Sequence, residues 1–241
     1  RGVSVSSVHL PLDEAPFEAD MRALLGRSVV GDNDANCHTV GEWRAGAARG
    51  CSDVVLLTLG TGIGGGLVLN GALYRGAQGA GAELGHLVVD LDGPPCFADC
   101  PNRGCLEALC SGSALERDAN AALAGHPSSV LADSAGPLTG ELIVGAAHVG
   151  DEYAVVVVET LGRRLGAGLA GIVNTFNPEV VVVGGGLMAA GELILGPARE
   201  EMLARALAPS RDFVRVVPAE LGPDAGFIGA ALLARGEAVA R

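Results

Sequence analysis

The stretch "DVVLLTLGTGIGGGLVLNG", residues 53–71, decides the fold. Its first part, 53–60, is a run rich in Val and Leu that predicts a buried strand. After a glycine-rich turn, 65–71 predicts a second strand, which ends in Asn-Gly, a signal for a hairpin. The uncharged run Val54–Tyr74 is long enough to suggest a membrane span, but it contains six glycines. We therefore interpret it as strand, turn and strand.

The patterns on either side of this hairpin predict further strands and helices. Upstream and downstream of it, 27–32 and 86–93 have the composition of short strands. The second half of the chain alternates between helical and strand patterns, which is typical of an α/β sheet with helices on its faces. The predicted strands there are 179–185 and 213–219. The predicted helices of the chain are 35–48, two that begin near Cys105 and Gly112, 139–148, 152–175, 187–207 and 225–238.

Composition and charge argue against one class of partner. The 241 residues carry a formal net charge of −12, and the 16 basic residues are all arginine. An acidic chain without a basic stripe is poorly suited to nucleic acid as its main partner. The length is compatible with one large domain or two small ones.

Three of the six cysteines fall within "CFADCPNRGC" (96–105), just downstream of a histidine. The candidate ligands are His86, Cys96, Cys100 and Cys105, one nitrogen and three sulfurs, which suit a tetrahedral Zn²⁺. A disulfide would leave one of the three cysteines over. Because four protein ligands leave no open coordination position, the sequence predicts a structural zinc rather than a catalytic one.

Two glycine-rich turns are candidate phosphate sites. In "LGTGIGGG" (59–66), successive backbone N–H groups can form an anion-binding nest, to which Thr61 adds a hydroxyl. In "VVVVGGGL" (180–187), a buried strand ends in three glycines that open a helix, where ligands bind in α/β proteins. Each turn could equally be purely structural. The occurrence of both in one chain favours a phosphate or nucleotide site.

Two further motifs carry polar residues with two interpretations each. "NDAN" (33–36) places Asp34 where a helix begins, either as a simple cap or as a general base that takes a proton from a hydroxyl. "GAELGH" (81–86) contains Glu83 and His86, either as ordinary polar surface or as partners for the vicinal hydroxyls of a sugar. These residues taken alone leave both alternatives open.

Together the motifs resemble a known family. "NDAN", "LGTGIGGGLVLNG", "GAELGH", "CPNRGCLE" and "NPEVVVVGGGL" occur in the order and spacing of the ROK family of bacterial sugar kinases and related repressors. The nearest resemblance is to the glucokinases of that family, and it covers nearly the whole chain. It implies an α/β protein with an actin-like ATPase (ribonuclease H-like) fold and a sugar in the cleft between two lobes.

The resemblance also implies roles for individual residues. Asp34 is the catalytic base, and the sugar contacts are Asn33, Asp34, Glu83, His86 and Glu107. The ATP contacts are Gly60, Thr61, Gly62, Gly64, Gly65, Gly184, Gly185 and Gly186. His86 binds both zinc and sugar, so that the metal orders the sugar loop. The implied ligands are a hexose, ATP with Mg²⁺ and a structural Zn²⁺, and the implied state is a cytoplasmic homodimer or homotetramer.

Two departures from the family pattern matter for these expectations. The family's Cys-x-Cys-Gly is replaced here by Cys96, three residues, then Cys100 and Pro101, so Cys96 is the least certain zinc ligand. The family's opening Asp-x-Gly-Gly-Thr phosphate loop is absent from this sequence, so we expect an incomplete N-terminal lobe. The expected division is 1–34 as the remnant of that lobe, 35–241 as the C-terminal lobe, 86–105 as the zinc loop, and about 225–238 as a last helix that returns toward the N-terminal lobe.

These expectations combine into one predicted function and two alternatives. The prediction is ATP-dependent phosphorylation of a hexose at its 6-hydroxyl, with glucose favoured and Asp34 as the base. The first alternative is the non-catalytic sugar-sensing domain of a ROK-type repressor, and a weaker one is a zinc-stabilised nucleotide-binding module without a sugar. Because the first phosphate loop is missing, we expect residues 1–241 alone to be inactive and residues 1–32 to be poorly packed.

Overall fold

The computed structural model describes residues 15–236, in which the strands form one five-stranded sheet. The strands are β1 (Val54–Leu59), β2 (Ile63–Leu69), β3 (Ala72–Tyr74), β4 (Val180–Gly184) and β5 (Arg215–Pro218). Their order across the sheet is β3-β2-β1-β4-β5. β1, β4 and β5 run parallel, whereas β2 and β3 are antiparallel to their neighbours. The predicted strand, turn and strand at 53–71 is confirmed.

Helices surround this sheet, which confirms the α/β class. Within the described residues they are α1 (Phe17–Leu25), α2 (Asp34–Ala45), α3 (Leu106–Cys110), α4 (Gly112–Ala122), α5 (Gly140–His148), α6 (Glu152–Phe176), α7 (Glu192–Arg205), α8 (Ser210–Phe213) and α9 (Ala225–Ala234). Short 3₁₀ turns occur at Leu84–His86, Leu123–Gly125, Gly186–Ala190 and Gly222–Asp224. The sequence patterns did not predict α1 and α8. None of the described helices has the length and apolar character needed to cross a membrane.

The central strands are buried on both faces because alternate residues enter two different cores. Val55 and Leu57 of β1 belong to the larger core, which also contains the buried faces of α3 to α7. Val54 and Leu56 enter a smaller core on the opposite face, together with Trp43 of α2 and a residue of α9. A strand covered on both faces favours an unbroken apolar sequence, which explains the Val and Leu run at its start.

The strand predicted at 27–32 does not form. This segment is irregular, and the N–H of Gly31 donates to a side-chain oxygen of Glu18 at 2.7 Å rather than to a neighbouring strand. A short apolar run forms a strand only where another strand satisfies its backbone groups. Neither hydrophobic core contains a residue from 15 to 34, which agrees with the loose packing expected for this part of 1–32. Residues 1–14 lie outside the described residues.

The strand predicted at 86–93 does not form either. His86 ends a 3₁₀ turn, and the N–H groups of Val89 and Asp90 both donate to the carbonyl of Gly104, at 2.8 and 3.2 Å. The apolar run is therefore bonded to the end of the cysteine loop and not to the sheet. Its side chains are exposed, and Leu91 is 84% exposed.

The two C-terminal helices differ from their predicted bounds. The helix predicted at 187–207 is divided at Gly191, which has a φ of 53° and separates a 3₁₀ turn from α7. The last helix ends at Ala234 rather than 238, and residues 237–241 lie outside the described residues. It packs along α2, the helix that begins with Asp34. Its return toward an N-terminal lobe stays a prediction.

Candidate active site and metal centre

The four predicted zinc ligands lie together. One ligand atom from each of His86, Cys96, Cys100 and Cys105 lies within 4.8 Å of the other three. Nδ1 of His86 is 3.6 Å from Sγ of Cys96, and the Sγ atoms of Cys100 and Cys105 are 3.9 Å apart. Tetrahedral ligands at zinc bond lengths of about 2.0–2.3 Å lie roughly 3.5–3.8 Å from one another. The donor set and its spacing fit Zn²⁺, and they include Cys96, the least certain ligand from the sequence.

Backbone hydrogen bonds shape the cysteine loop. The N–H of Cys96 donates to the carbonyl of Asn102 at 2.9 Å, and the N–H of Gly104 donates to that of Pro94 at 2.8 Å. These bonds close a narrow hairpin that returns the chain to His86. The ligands are therefore brought together by the backbone, so less ordering is left for the metal to impose.

The three thiols of the cluster differ in acidity. Burial raises the pKa of the Cys96 thiol to about 12 and also raises that of Cys105. The N–H of Asn102 lowers the pKa of Cys100 by donating a hydrogen bond to its sulfur. Without metal, Cys96 is protonated at neutral pH, and its Sγ lies 3.8 Å from Oε1 of Glu107 as a donor. Because zinc binds the thiolate, metal binding must release this proton.

Asp34 is the first residue of α2 and is exposed. Asn33 caps the helix, since its side chain accepts a hydrogen bond from the N–H of Asn36 at 3.1 Å. Oδ1 of Asp34 accepts a bond from the N–H of Ala35 at 2.9 Å, and the Nδ1 of His38 lies 2.9 Å from the Asp34 carbonyl. The helix cap is thus Asn33, which leaves the carboxylate of Asp34 in contact with solvent and available for chemistry.

The sequence analysis missed Asp32 and Arg75. The Nε and Nη2 of Arg75 lie 2.8 and 2.6 Å from Oδ2 of Asp32, whose side chain is only 7% exposed. These residues are 43 positions apart in the sequence. No local pattern joins them, so only the folded chain shows that Asp32 is held directly before Asn33 and Asp34.

The glycines of β2 allow two segments to approach the strand closely, one from each face. A Cβ at Gly64 would lie 3.1 Å from the Cβ of Ala35 at the start of α2. A Cβ at Gly65 would lie 2.9 Å from the Cβ of Leu84, the residue after Glu83. Since Gly64 and Gly65 pair with β1, both lie in the strand, which was predicted to begin only at Gly65. The turn consists of Gly60 to Gly62, so the predicted nest is smaller.

Glu107 connects this turn to the zinc loop. Its Oε2 accepts a hydrogen bond from the N–H of Ile63 at 2.8 Å and lies directly beside Gly62, leaving no space there for a side chain. Its Oε1 faces Cys96. The carbonyl of Gly60 accepts a bond of 2.8 Å from the N–H of Gly112, the first residue of α4. The glycine turn is therefore fixed by α3 and α4, while Thr61 at its tip is exposed.

The second glycine motif lies next to the first. Gly184 ends β4, and Gly185 follows with a φ of 94°, a conformation that favours glycine. A Cβ at Gly185 would lie 2.6 Å from the carbonyl carbon of Leu59, the last residue of β1. Gly186 is exposed, and a Cβ there would meet no atom within 4 Å. The two motifs thus meet where the neighbouring parallel strands β1 and β4 end.

The segments that carry the predicted site residues therefore surround one short piece of chain, Leu59 to Gly66. The start of α2 lies on one face of it and the turn with Glu83 and His86 on the other. Glu107 holds its turn, and Gly185 contacts its first residue. The roles predicted for these residues in binding and catalysis stay predictions.

Comparison with known proteins agrees with this arrangement. The sequence profile of the ROK family matches residues 3–237. The chain belongs to the ROK family. Its fold is the actin-like ATPase fold of the ROK sugar kinases, as the motifs implied.

Three proteins show how the chain relates to known sequences and structures. It is 40% identical over 219 residues to the glucokinase of Thermotoga maritima, in a match that spans 90% of this chain and 68% of the relative. A ROK glucokinase from Streptomyces griseus, solved in complex with glucose and AMPPNP, is 36% identical with a TM-score of 0.86, over 97% of this chain and 77% of that one. A ROK transcriptional regulator, a homologue of the E. coli MLC protein, is 29% identical with a TM-score of 0.89, over 98% of this chain and 59% of that one.

Proposed function

We propose that this ROK protein is an ATP-dependent hexose kinase of the glucokinase type, which phosphorylates the 6-hydroxyl of its sugar. One observation carries the proposal: the exposed carboxylate of Asp34 begins a helix packed against the strand that follows the first glycine turn. The similarity of this chain to the glucokinases of T. maritima and S. griseus supports glucose as the favoured hexose.

Asp34 is the proposed general base. It is the first residue of α2, and its side chain is exposed to solvent. Such a carboxylate can accept the proton of the 6-hydroxyl as the hydroxyl oxygen attacks the γ-phosphate of ATP. Little covalent chemistry is left for the protein in phosphoryl transfer, so the remaining catalysis is positioning and charge stabilisation.

Asn33, Glu83, His86 and Glu107 are the proposed sugar contacts beside Asp34. In His86, Nδ1 is the atom that faces Cys96, which leaves Nε2 for a ligand. If Nδ1 bound the metal, the ring would carry its proton on Nε2, where it could donate to a sugar hydroxyl. The structural Zn²⁺ would fix this tautomer and the orientation of the ring, while His86 itself makes the sugar contact.

The proposed nucleotide contacts come from both glycine motifs. Gly60 to Gly62 with the hydroxyl of Thr61, supported by Gly64 and Gly65, are proposed to bind phosphate. Gly184 at the end of β4, with Gly185 and Gly186 at the start of the 3₁₀ turn that follows, are proposed to bind the adenosine part. Mg²⁺ accompanies ATP and neutralises charge on its phosphates.

A coupled assay for hexose 6-phosphate tests the proposal. The sequence lacks an Asp-x-Gly-Gly-Thr loop, and we propose that residues 1–241 need such a loop for turnover. The assay is therefore run with ATP and a panel of hexoses on the chain and on a longer protein in which an upstream segment supplies that loop. We expect hexose 6-phosphate from the longer protein alone. Rapid turnover by residues 1–241 would contradict the proposal that this chain needs the loop. No turnover by either protein would contradict the proposal that the protein is a kinase.

A second candidate function is sugar sensing without catalysis. The observation that favours it is the similarity to the transcriptional regulator, which matches 98% of this chain with a TM-score of 0.89. A sensing domain would bind hexose, measured by calorimetry, but the longer protein would not turn it over. Binding with turnover supports the kinase instead.

A further inference from the structure

We propose that Arg75 is a positioning residue that ties together the two segments of the sugar site. One segment is Asp32 to Asn36, which carries Asn33 and Asp34. The other is the loop after β3, which leads to Glu83 and His86. The inference rests on the proposed hexose site, and it adds a residue outside the motifs of that site.

The side chain of Arg75 fixes the first segment through Asp32. Its Nε and Nη2 reach Oδ2 of Asp32, at 2.8 and 2.6 Å. Oδ1 of Asp32 accepts two further bonds, from Nδ2 of Asn36 at 2.7 Å and from the N–H of Asn33 at 2.9 Å. Four donors therefore hold a carboxylate that is 7% exposed, and the bonds lie on both sides of Asp34 in the sequence.

The backbone of Arg75 fixes the second segment. Its carbonyl accepts a hydrogen bond from the N–H of Gly81 at 2.9 Å, which closes the loop that follows β3. A Cβ at Gly81 would lie 2.9 Å from the N of Gly76, so the two ends of this loop are in direct contact. Glu83 follows two residues later. One residue thus holds Asn33 and Asp34 with its side chain and the approach to Glu83 with its backbone.

The rest of the structure explains why such a tie is needed. Neither hydrophobic core contains a residue from 15 to 34, so apolar packing does little to fix the chain ahead of α2. Asn33, Asp34 and Glu83 are all exposed. An ion pair with several hydrogen bonds and one largely buried partner orients such residues better than an exposed pair does.

The test compares Arg75→Gln with a matched control, Arg199→Gln. The side chain of Arg199 is 32% exposed, against 35% for Arg75, and its Nη1 bonds Glu192, whose side chain is 72% exposed against 7% for Asp32. The control therefore removes an arginine of similar exposure from an exposed ion pair outside the proposed site. Hexose affinity is measured by calorimetry, and hydrogen exchange is followed in residues 32–37. We expect Arg75→Gln to weaken hexose binding about ten-fold or more, because only the ordered fraction of molecules is ready to bind. Arg75→Gln should keep the nucleotide affinity and zinc content of the unmodified chain. Arg199→Gln should keep its hexose affinity as well.

Further variants separate positioning from general stability. Arg75→Lys keeps the charge but cannot place two nitrogens on Oδ2, so an intermediate loss of hexose affinity is expected. Asp32→Asn combined with Arg75→Gln should weaken hexose binding no more than the more severe single variant does, since both substitutions remove the same interaction. Faster exchange in residues 32–37, reversed by saturating hexose, is the signature of a positioning role. If Arg75→Gln does not fold, the same readouts are taken on Arg75→Lys.

The outcomes distinguish this inference from the function on which it rests. If the unmodified chain does not bind hexose, the proposed sugar site is wrong and the tie falls with it. If the unmodified chain binds hexose and the Arg75 variants bind it equally well, the tie is wrong and the sugar site stands. A loss of hexose and nucleotide affinity in equal measure would show that Arg75 only stabilises the fold.

Discussion

The proposed sugar half and the proposed nucleotide half of the site are held in different ways. Side chains hold the sugar half: Arg75 on Asp32, Asn33 on the N–H of Asn36, and the zinc ligands around His86. Close backbone contact holds the adenosine part of the nucleotide half, where Gly185 lies against the end of β1 and no side chain fits between them. Where side chains hold a segment, single substitutions can remove one hydrogen bond at a time. Where backbone packs directly on backbone, a substitution has an effect only if it adds an atom for which there is no space.

The largest effect should come from Asp34→Asn on the sugar half. In the form of the protein that turns over hexose, we expect turnover to fall by about 10²–10⁴-fold, the usual contribution of a general base. Hexose affinity should change far less, because the amide can still hydrogen-bond the hydroxyl. Steady-state kinetics and calorimetry measure the two quantities separately.

Glu152→Gln is the matched control for that variant. Glu152 is likewise an exposed acidic residue at the first position of a helix, α6, and it lies outside the proposed site. Its substitution should leave turnover unchanged. Near-normal turnover in Asp34→Asn would mean that Asp34 only favours the helix terminus.

The zinc loop gives the next largest effect. Freshly purified chain should contain about one zinc, and Cys105→Ser should contain none, because a closed four-ligand site loses its metal with one ligand. Elemental analysis measures this, and Cys37→Ser, a cysteine outside the cluster, should keep its zinc. With chelator present, the unmodified chain should melt at the same temperature as Cys105→Ser. A zinc-free natural chain with Cys96 and Cys100 in a disulfide would contradict the site.

Zinc binding should also depend on pH in a defined direction. Burial raises the pKa of Cys96 to about 12, so the metal-free chain holds this proton at neutral pH and zinc must displace it. Apparent zinc affinity should therefore rise from pH 6 to pH 8, by roughly ten-fold per pH unit for each proton released. The stability of the metal-free chain should change with pH in the opposite direction. Because the pKa of Cys96 is higher in the folded chain than its ordinary value of about 9, its contribution to the free energy of unfolding is fully present below about pH 9. That contribution is lost as the pH rises toward about 12.

Gly185→Ala tests the backbone-held half. Alanine would have to adopt a φ of 94°, with its Cβ 2.6 Å from the carbonyl carbon of Leu59. We expect a loss of about 1–3 kcal/mol in the free energy of unfolding, with a melting temperature lower by roughly 2–4 °C per kcal/mol. Nucleotide affinity should fall while hexose affinity is kept. Gly186→Ala is the control for stability only, since its Cβ meets no atom within 4 Å, although Gly186 is itself a proposed adenosine contact. Equal melting temperatures of the two variants would contradict the packing argument.

The parts of the site that local chemistry specifies were predictable from sequence. The four predicted zinc ligands fall within twenty residues and have distinctive donor atoms, so it could be predicted that they lie together, as they do. Zinc binding itself stays a prediction. The start of α2 was predictable within one residue, because a run of Asn and Asp ahead of a helix is a capping signal. The β1–β2 hairpin followed from its Val and Leu run and its glycines in the same way.

What depends on distant partners could not be predicted. The ion pair of Arg75 with Asp32 spans 43 positions and leaves no periodic signal. The sequence also could not show whether Gly64 and Gly65 belong to a turn or to a strand, since that depends on pairing with β1. The apolar run at 86–93 has the composition of a strand, but its backbone is bonded to Gly104 in the cysteine loop.

The smallest effect should come from Glu107, where a side chain holds the glycine turn and so joins the two halves. Glu107→Gln keeps an acceptor for the N–H of Ile63 but removes its charge, so the hydrogen bond should weaken by about 1 kcal/mol. We expect faster hydrogen exchange at Ile63, a few-fold weaker hexose binding and unchanged zinc content. Glu107→Ala removes the acceptor altogether and should produce a larger change in the same three measurements. If both variants leave exchange at Ile63 unaltered, the turn is held by its bonds to α4 alone, and the side-chain and backbone halves are independent.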